Sequence, residues 1–192
     1  MLKLKNSLHA YLNKDKCFII AEAGVNHNGN INLAYKLIDM AKEAGVDAVK
    51  FQTFKTEKVV TVEAKMADYQ KKNIKSNKSQ FDMIKELELS YKEFTKLKKY
   101  CDKLGIMFLY TPDEEESLDF LVDELNVPII KIGSSDINNI PFLTKVAYKN
   151  KPIILSTGMA NLSEVEKAID IIHLNQNCSD VSFFYPLTIL HC

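Results

Sequence analysis

The sequence has no excess of either charge and no long apolar run. Lys+Arg and Asp+Glu both total 25 in 192 residues, so the formal net charge is zero. This balance argues against a nucleic-acid binder, which usually carries a basic excess. No apolar run approaches the length of a membrane span, and residues 1–16 are polar and lysine-rich, without the apolar centre of a signal peptide. We therefore expect neither a nucleic acid nor a membrane as a partner.

Cysteine is scarce and scattered. The four cysteines are far apart and form no CxxC or CxxxC spacing. This pattern argues against a disulfide framework and against a thiolate zinc site, and it is typical of the reducing cytosol. We therefore predict a cytoplasmic protein. The cysteines are Cys17, Cys101, Cys178 and Cys192.

What the sequence does contain is a regular alternation of apolar runs and amphipathic segments. With 192 residues, 46% of them hydrophobic, the chain is long enough for one domain with a substantial core. Strands followed by helices predict a parallel sheet with helices packed outside it. The last helix of the series is missing. The six predicted strands begin near Phe18, Ala48, Ile106, Pro128, Pro152 and Leu187.

Several helix starts can be predicted from capping residues. Ser90 with Glu93, and Ser163 with Glu166, have the spacing of a capping box. Asn28 or Asn30 can cap the helix after the first strand. The acidic run 113–116 stands where a helix N-terminus favours negative charge, so we interpret it as a helix start and not as a metal site.

Polar residues cluster where the predicted strands end, and this distribution predicts the fold class. In a (β/α)8 TIM barrel, these strand ends form the active face. An open doubly wound sheet would bring them together only at a switch point, and no GxGxxG or P-loop pattern follows the first strand. We predict an incomplete barrel, with about six of its eight strands present.

Glu22 is the first candidate functional residue. It interrupts the apolar run 18–21, and a lone carboxylate on such a strand is costly to bury. Acidic residues in this position are candidates for a functional site. The alternative is a strand-end glutamate that reaches solvent or a neighbouring lysine.

Lys50 and Lys131 are equally notable, because each lies within an apolar strand. Buried lysines need anions, and two of them beside hydroxyl groups would suit a ligand with phosphate and carboxylate groups. One lysine could instead form a Schiff base, as in aldolases, or pair structurally with Glu22 or Asp136. The nearby hydroxyl residues are Thr111, Ser134, Ser135 and Ser156.

His27 and His191 are the histidines at plausible site positions. Together they could bind a divalent ion, but two ligands do not complete a site, and a structural role suits each equally well. Gln52 could hydrogen-bond a polyhydroxylated substrate.

Several motifs together resemble the sialic acid synthase family. They follow the family's order and cover nearly the whole chain from Cys17 onward. The motifs are AEAGVNHNG at 21–29, VKFQ at 49–52, TP at 111–112, KIGS at 131–134, LSTGM at 155–159 and LHC at 190–192.

The resemblance implies a synthase that condenses phosphoenolpyruvate with an N-acetylated amino sugar such as N-acetylmannosamine, with release of phosphate. The products would be neuraminic, legionaminic or pseudaminic acids. The resemblance also implies a manganese or magnesium ion. It places Glu22 beside the reacting carbons and the sugar near Gln52 and Asp136. It places phosphoenolpyruvate against Lys50, Thr111, Lys131, Ser134 and Ser156.

Departures from the family qualify this interpretation. Phenylalanine is frequent at the position of Asp113, and Asp136 stands where some members carry glutamate. A sugar-contacting asparagine of the family falls in the loop 73–77, where no single residue can be assigned.

The family's last two strands, its metal-binding histidines and its antifreeze-like domain have no counterpart here. We therefore expect a polar lead at 1–16, a partial barrel at 17–192 and no metal ligand within this chain.

Three readings follow for the chain. It could be an enzyme completed by a C-terminal fragment, in a possible homodimer. It could be a truncated, non-catalytic remnant. It could also be another barrel aldolase or lyase that uses a Schiff-base lysine.

Overall fold

Six parallel strands form the centre of the part of the chain that the structure describes. The computed structural model describes residues 17–64, 79–176 and 187–191. The order of strands along the chain is the predicted one, with helices between them. The strands are β1 (Ile20–Gly24), β2 (Ala48–Thr53), β3 (Met107–Pro112), β4 (Ile130–Ile132), β5 (Ile153–Ser156) and β6 (Leu187–Leu190).

The helices connect successive strands. The helix at Glu115–Asp119 continues directly into a π-helical turn at Phe120–Glu124, and a 3₁₀ turn at Ser134–Asp136 follows β4. The α-helices are α1 (Ile31–Glu43), α2 (Thr56–Val59), α3 (Gln80–Leu87), α4 (Tyr91–Leu104), α5 (Glu115–Asp119), α6 (Ile140–Tyr148) and α7 (Leu162–Asn175).

The strands form two three-stranded parallel sheets, β1-β2-β3 and β4-β5-β6, each in chain order. Strands β3 and β4 lie next to each other, which brings the two sheets together. Since all pairings are parallel, the carboxyl ends of the strands in each sheet lie on the same side. The fold is therefore α/β, as predicted.

Two apolar clusters lie on opposite faces of the strands. The larger one packs helix residues such as Ile38 and Phe94 against Val49 and Phe108. The smaller one consists of Ala48, Leu109, Ile129 and Ile154, contributed by four strand segments. Successive strand residues alternate between the two faces. We call the face that carries the smaller cluster the inner face.

The alternation places polar residues directly after the smaller cluster. Two residues beyond Ala48, Leu109, Ile129 and Ile154, the inner face carries a polar side chain. Along each of these four segments, apolar packing thus gives way to a polar surface toward the carboxyl end. The polar residues are Lys50, Thr111, Lys131 and Ser156.

The helix starts confirm most of the capping predictions and correct one. Asn30 caps α1, and Ser90 forms the predicted capping box with Glu93 at the start of α4. At α7, however, the box is formed by Asn161 and Glu164, so the prediction of Ser163 with Glu166 was two residues too late. Asparagine is as good an N-cap as serine, and the earlier residue is the one that begins the helix.

Cys101 belongs to the core. It is fully buried on α4, and burial raises the pKa of its thiol to about 12. The thiol is therefore unreactive at neutral pH. Within residues 17–64, 79–176 and 187–191, no helix is long and apolar enough to cross a membrane.

Candidate active site

The polar ends of the strands surround a cavity of about 380 Å³. Every one of the six strands contributes to its wall, either by its last residues or by the loop that follows. The cavity therefore lies above the smaller apolar cluster, on the inner face. Its lining residues are Ile20, Glu22, Lys50, Gln52, Thr111, Asp113, Lys131, Gly133, Ser134, Ser135, Ser156 and Leu190.

Lys50 is held in the wall by two partners. Its side chain is buried, and Nζ donates to Thr111 Oγ1 at 3.1 Å and lies 2.8 Å from Glu22 Oε2. The parallel register sets Lys50 beside Glu22 on one neighbouring strand and beside Leu109 on the other. The prediction of a buried lysine is confirmed here. So is the alternative that Lys50 pairs with Glu22.

Lys131 is the second buried cation of the wall, with 5% of its surface exposed. Its Nζ donates to Ser156 Oγ at 2.6 Å and to the carbonyl oxygen of Ile132 at 2.8 Å. These two hydrogen bonds fix the ammonium group in the wall of the cavity.

Glu22 is not buried in the described structure. Its side chain is 58% exposed while it accepts from Lys50. The cost of burying a lone carboxylate, which first singled out this residue, therefore does not apply. What the structure gives instead is an acidic group at the mouth of the cavity, fixed by a buried lysine.

Asp113 lines the cavity and was not assigned to the site from the sequence. Glu114, the next residue, does act as the predicted helix-start acid, since it caps α5 by accepting from the backbone N–H groups of Glu116 and Ser117. Asp113 instead continues the inner-face alternation that runs through Leu109 and Thr111. That two-residue period was the signal that could have found it.

The ionisation of Asp113 is shifted strongly. Burial raises the pKa of its carboxyl to about 7, and the negative charges of Asp136, Glu114 and Glu22 act in the same direction. Lys50 opposes the shift. At neutral pH, this carboxyl is therefore protonated in a large fraction of molecules.

The two predicted sugar-binding residues differ in position. Gln52 lies on the cavity wall, two residues beyond Lys50. Asp136 ends the 3₁₀ turn and accepts hydrogen bonds from Asn139 at 3.2 Å and from Ser135 at 3.4 Å. It is not among the lining residues, although its charge acts on Asp113. Its contact with a sugar stays a prediction.

The two candidate histidines lie in different environments. His27 is buried, its Nδ1 accepts from the Gly29 N–H at 3.1 Å, and burial lowers its pKa. His191 is exposed after β6. Within the described residues, no three His, Cys, Asp or Glu side chains are grouped as a metal site. The described donors therefore do not fit a manganese or magnesium ion by themselves. Residues 73–77 lie outside the described part.

A second cavity of about 460 Å³ lies near the amino ends of β2 and β3, lined by residues such as Asp47, Met107 and Lys98. Lys98 is already paired with Asp102, and Asp47 accepts from the N–H of Ile19. These charged groups thus have partners within the protein. We therefore take the cavity at the carboxyl ends as the candidate site.

Comparison with known proteins identifies the family. The profile of the NeuB family matches residues 37–192, and the chain belongs to this family. It is 47% identical over 177 residues to the N,N'-diacetyllegionaminic acid synthase of Campylobacter jejuni, covering 92% of this chain and 51% of that protein. The corresponding synthase of Legionella pneumophila is 46% identical over 178 residues, covering 92% and 48%.

A solved structure shows the same arrangement of elements. It is the N-acetylneuraminic acid synthetase of Leptospira borgpetersenii in complex with citrate, with a TM-score of 0.73 and 36% identity. The match covers 91% of this chain and 53% of that one. The chain thus spans about half the length of the relatives it matches.

Proposed function

We propose that the cavity is the phosphoenolpyruvate site of a nonulosonic acid synthase. The reaction joins phosphoenolpyruvate to an N-acetylated amino sugar, such as N-acetylmannosamine, and releases phosphate. The observation that carries the proposal is the convergence of two buried lysines, Lys50 and Lys131, on one cavity. Membership of the NeuB family supports the same chemistry, because its named relatives include legionaminic acid synthases.

The wall provides what a doubly anionic substrate needs. Lys50 and Lys131 supply positive charge from two strands. Thr111 and Ser156 already hydrogen-bond these ammonium groups, so they orient them. Ser134 adds a hydroxyl after β4. Charge-assisted hydrogen bonds from such fixed donors are roughly twice as strong as neutral ones. We assign the anionic groups of phosphoenolpyruvate to these residues and the sugar to Gln52 and Asp136.

We assign the role of base to Glu22. In the proposed reaction, C3 of phosphoenolpyruvate attacks the aldehyde carbon of the open-chain sugar, and cationic character develops at C2. The aldehyde oxygen takes up a proton and becomes a hydroxyl. Water then adds to C2 and gives one proton to Glu22, and phosphate leaves by C2–O cleavage with the other water proton as the C2 ketone forms. The lysines hold the anionic ends in place, so positioning supplies much of the rate.

The larger assembly is also part of the proposal. We infer that the two sheets belong to a (β/α)8 barrel, because six strand ends line one cavity. Further barrel strands would come from a complementing segment or from a longer form of the chain, within a possible homodimer. The divalent ion implied by the family resemblance would bind outside the described residues. A cytoplasmic location fits the scattered cysteines.

The test measures binding and turnover separately. Calorimetry with phosphoenolpyruvate should show saturable binding to the folded chain. Phosphate release is then measured with N-acetylmannosamine and with 2,4-diacetamido sugars, in the presence of manganese. Each assay uses the chain alone and the chain mixed with the C-terminal half of a relative. Activity in either form supports the synthase. Binding and turnover that are both absent from folded protein would show a non-catalytic remnant.

A further inference from the structure

Asp113 has a fixed position at the edge of the cavity. Its backbone N–H donates to the carbonyl oxygen of Thr53 at 3.0 Å, which ties the end of β3 to the end of β2. Its side chain follows Leu109 and Thr111 on the inner face, so strand geometry directs it toward the cavity that it lines. It is therefore part of the same wall as Lys50.

The surroundings of Asp113 favour its neutral form. The charged groups around it are Glu22 from β1, Lys50 from β2, the neighbouring Glu114, and Asp136 after β4, while Lys131 lies elsewhere on the same wall. Lys50 is already engaged with Glu22 and Thr111. Among the described residues, no hydrogen bond reaches the Asp113 carboxylate. Its raised pKa agrees with this geometry.

The two carboxyl groups of the wall are thus suited to opposite tasks. Glu22 is exposed and accepts from the ammonium group of Lys50, so its carboxylate is open to water at the mouth of the cavity. Asp113 is half-buried on the same wall, where the charges of Asp136, Glu114 and Glu22 act on it, and this suits a proton donor. Two carboxyl groups of one site can act as base and acid when their surroundings differ.

We infer that Asp113 is the general acid that protonates the aldehyde oxygen of the sugar as the new carbon–carbon bond forms. The inference rests on the proposed function. The C2–C3 π electrons of phosphoenolpyruvate form the bond to the aldehyde carbon, and the carbonyl π pair moves onto oxygen. That oxygen takes the proton of Asp113 and becomes a hydroxyl. Asp113 remains as a carboxylate and is reprotonated from solvent. One proton of the added water passes to Glu22 and from there to solvent, and the other departs with the phosphate.

The test compares Asp113→Asn, Asp113→Glu and Glu116→Gln in the form of the protein that releases phosphate. Glu116 lies in the same acidic run but is exposed outside the cavity, so it is the matched control. Loss of a general acid should lower kcat/KM by roughly 10²- to 10⁴-fold in Asp113→Asn. Asp113→Glu should restore part of the rate. Glu116→Gln should match the wild type.

The pH profile separates proton donation from a structural role. In the wild type, kcat/KM should fall as pH rises through about 7, the pKa of the Asp113 carboxyl. This limb should be absent in Asp113→Asn. Carboxyl ¹³C NMR of aspartate-labelled protein, assigned by the signal that Asp113→Asn removes, should show the same inflection without any turnover.

The outcomes distinguish the two proposals. Suppose that the wild type turns over, and that Asp113→Asn has the same rate and the same fall of kcat/KM above about pH 7. This result would overturn the role of Asp113 and leave the synthase function standing. A wild type that binds no phosphoenolpyruvate and releases no phosphate overturns the synthase function, and with it the acid role. An Asp113 signal that titrates near the ordinary aspartate value overturns the acid role alone.

Discussion

Lys50 and Glu22 form an ion pair across neighbouring parallel strands, with Nζ 2.8 Å from Oε2. The two members are unequally placed, because the side chain of Lys50 is 9% exposed and that of Glu22 is 58% exposed. In the proposed reaction, the buried member would hold an anion inside the cavity and the exposed member would meet water at its mouth. One ion pair would then serve both substrate binding and proton transfer.

Replacing Glu22 should separate these two tasks. In the active form of the protein, Glu22→Gln should reduce phosphate release at least about 100-fold, because an amide cannot accept the proton of the attacking water. Binding of phosphoenolpyruvate should be largely retained, since Lys50 and Lys131 stay in place. Calorimetry and a phosphate-release assay measure the two effects. The control is Glu43→Gln, an exposed glutamate at the end of α1. Near-normal turnover in Glu22→Gln would remove Glu22 from the mechanism.

Replacing Lys131, in contrast, should weaken the binding of phosphoenolpyruvate. Lys131→Met removes a charged donor from the wall while keeping an apolar side chain of similar length. We expect phosphoenolpyruvate to bind roughly 10- to 100-fold more weakly, the value of a charge-assisted hydrogen bond. Lys167→Met, on the exposed face of α7, should bind normally. Unchanged affinity in Lys131→Met would contradict its assignment to the substrate anion.

The same lysine allows a test against Schiff-base chemistry. Treatment with borohydride and pyruvate or a sugar phosphate should give no covalent adduct on wild-type protein, as measured by intact mass. An adduct that disappears in Lys131→Met would instead identify a barrel aldolase or lyase.

The sequence was sufficient to predict the strands and the two lysines because their signals are local. Apolar runs mark buried strands, and a lysine inside such a run must face either a partner or a site. The exposure of Glu22 was an alternative that the sequence left open, and the structure confirms it together with the lysine partner. It depends on which segments cover the end of β1, and this is a property of the tertiary structure.

Asp113 shows how a local signal can be misread. It stands first in a run of four acids at a helix start, where a capping role is the common one. The run in fact divides between two tasks, since Glu114 caps α5 and Asp113 lines the cavity. The two-residue period of inner-face positions runs through Leu109 and Thr111 and reaches Asp113, one residue beyond Pro112 at the end of β3. Extending that period past Pro112 would have placed Asp113 correctly.

Gly29 should tolerate no side chain, in contrast with Gly45. Both have positive φ, 69° and 74°. A Cβ on Gly29 would collide with the backbone carbonyl oxygen of Glu86, whereas a Cβ on Gly45 would meet open space. Gly45→Ala should therefore lower the free energy of unfolding by only about 1 kcal/mol, the cost of holding alanine in a left-handed backbone conformation. Gly29→Ala should cost about 1–3 kcal/mol more, because α3 must move. Urea unfolding of both variants measures the difference, and equal costs would contradict the close approach.

Asp113 should also make stability depend on pH. Its folded pKa of about 7 lies above the ordinary aspartate value of 3.8, so between these values the folded state binds more protons than the unfolded state. The contribution of Asp113 to the free energy of unfolding is thus fully present below about pH 4. It is lost progressively as pH rises through about 7.

Asp113→Asn should remove this dependence, because an amide does not titrate. The stability of the variant relative to that of the wild type should therefore increase as pH rises from 5 to 8, as measured by the urea midpoint at each pH. Glu116→Gln provides the comparison, since its carboxylate is exposed and lies outside the cavity. If the urea midpoint changes equally between pH 5 and pH 8 in Asp113→Asn and in the wild type, the Asp113 carboxyl is ionised in the folded protein throughout this range. The cavity would then hold two anionic carboxylates beside Lys50, and proton donation to the aldehyde oxygen would need another source.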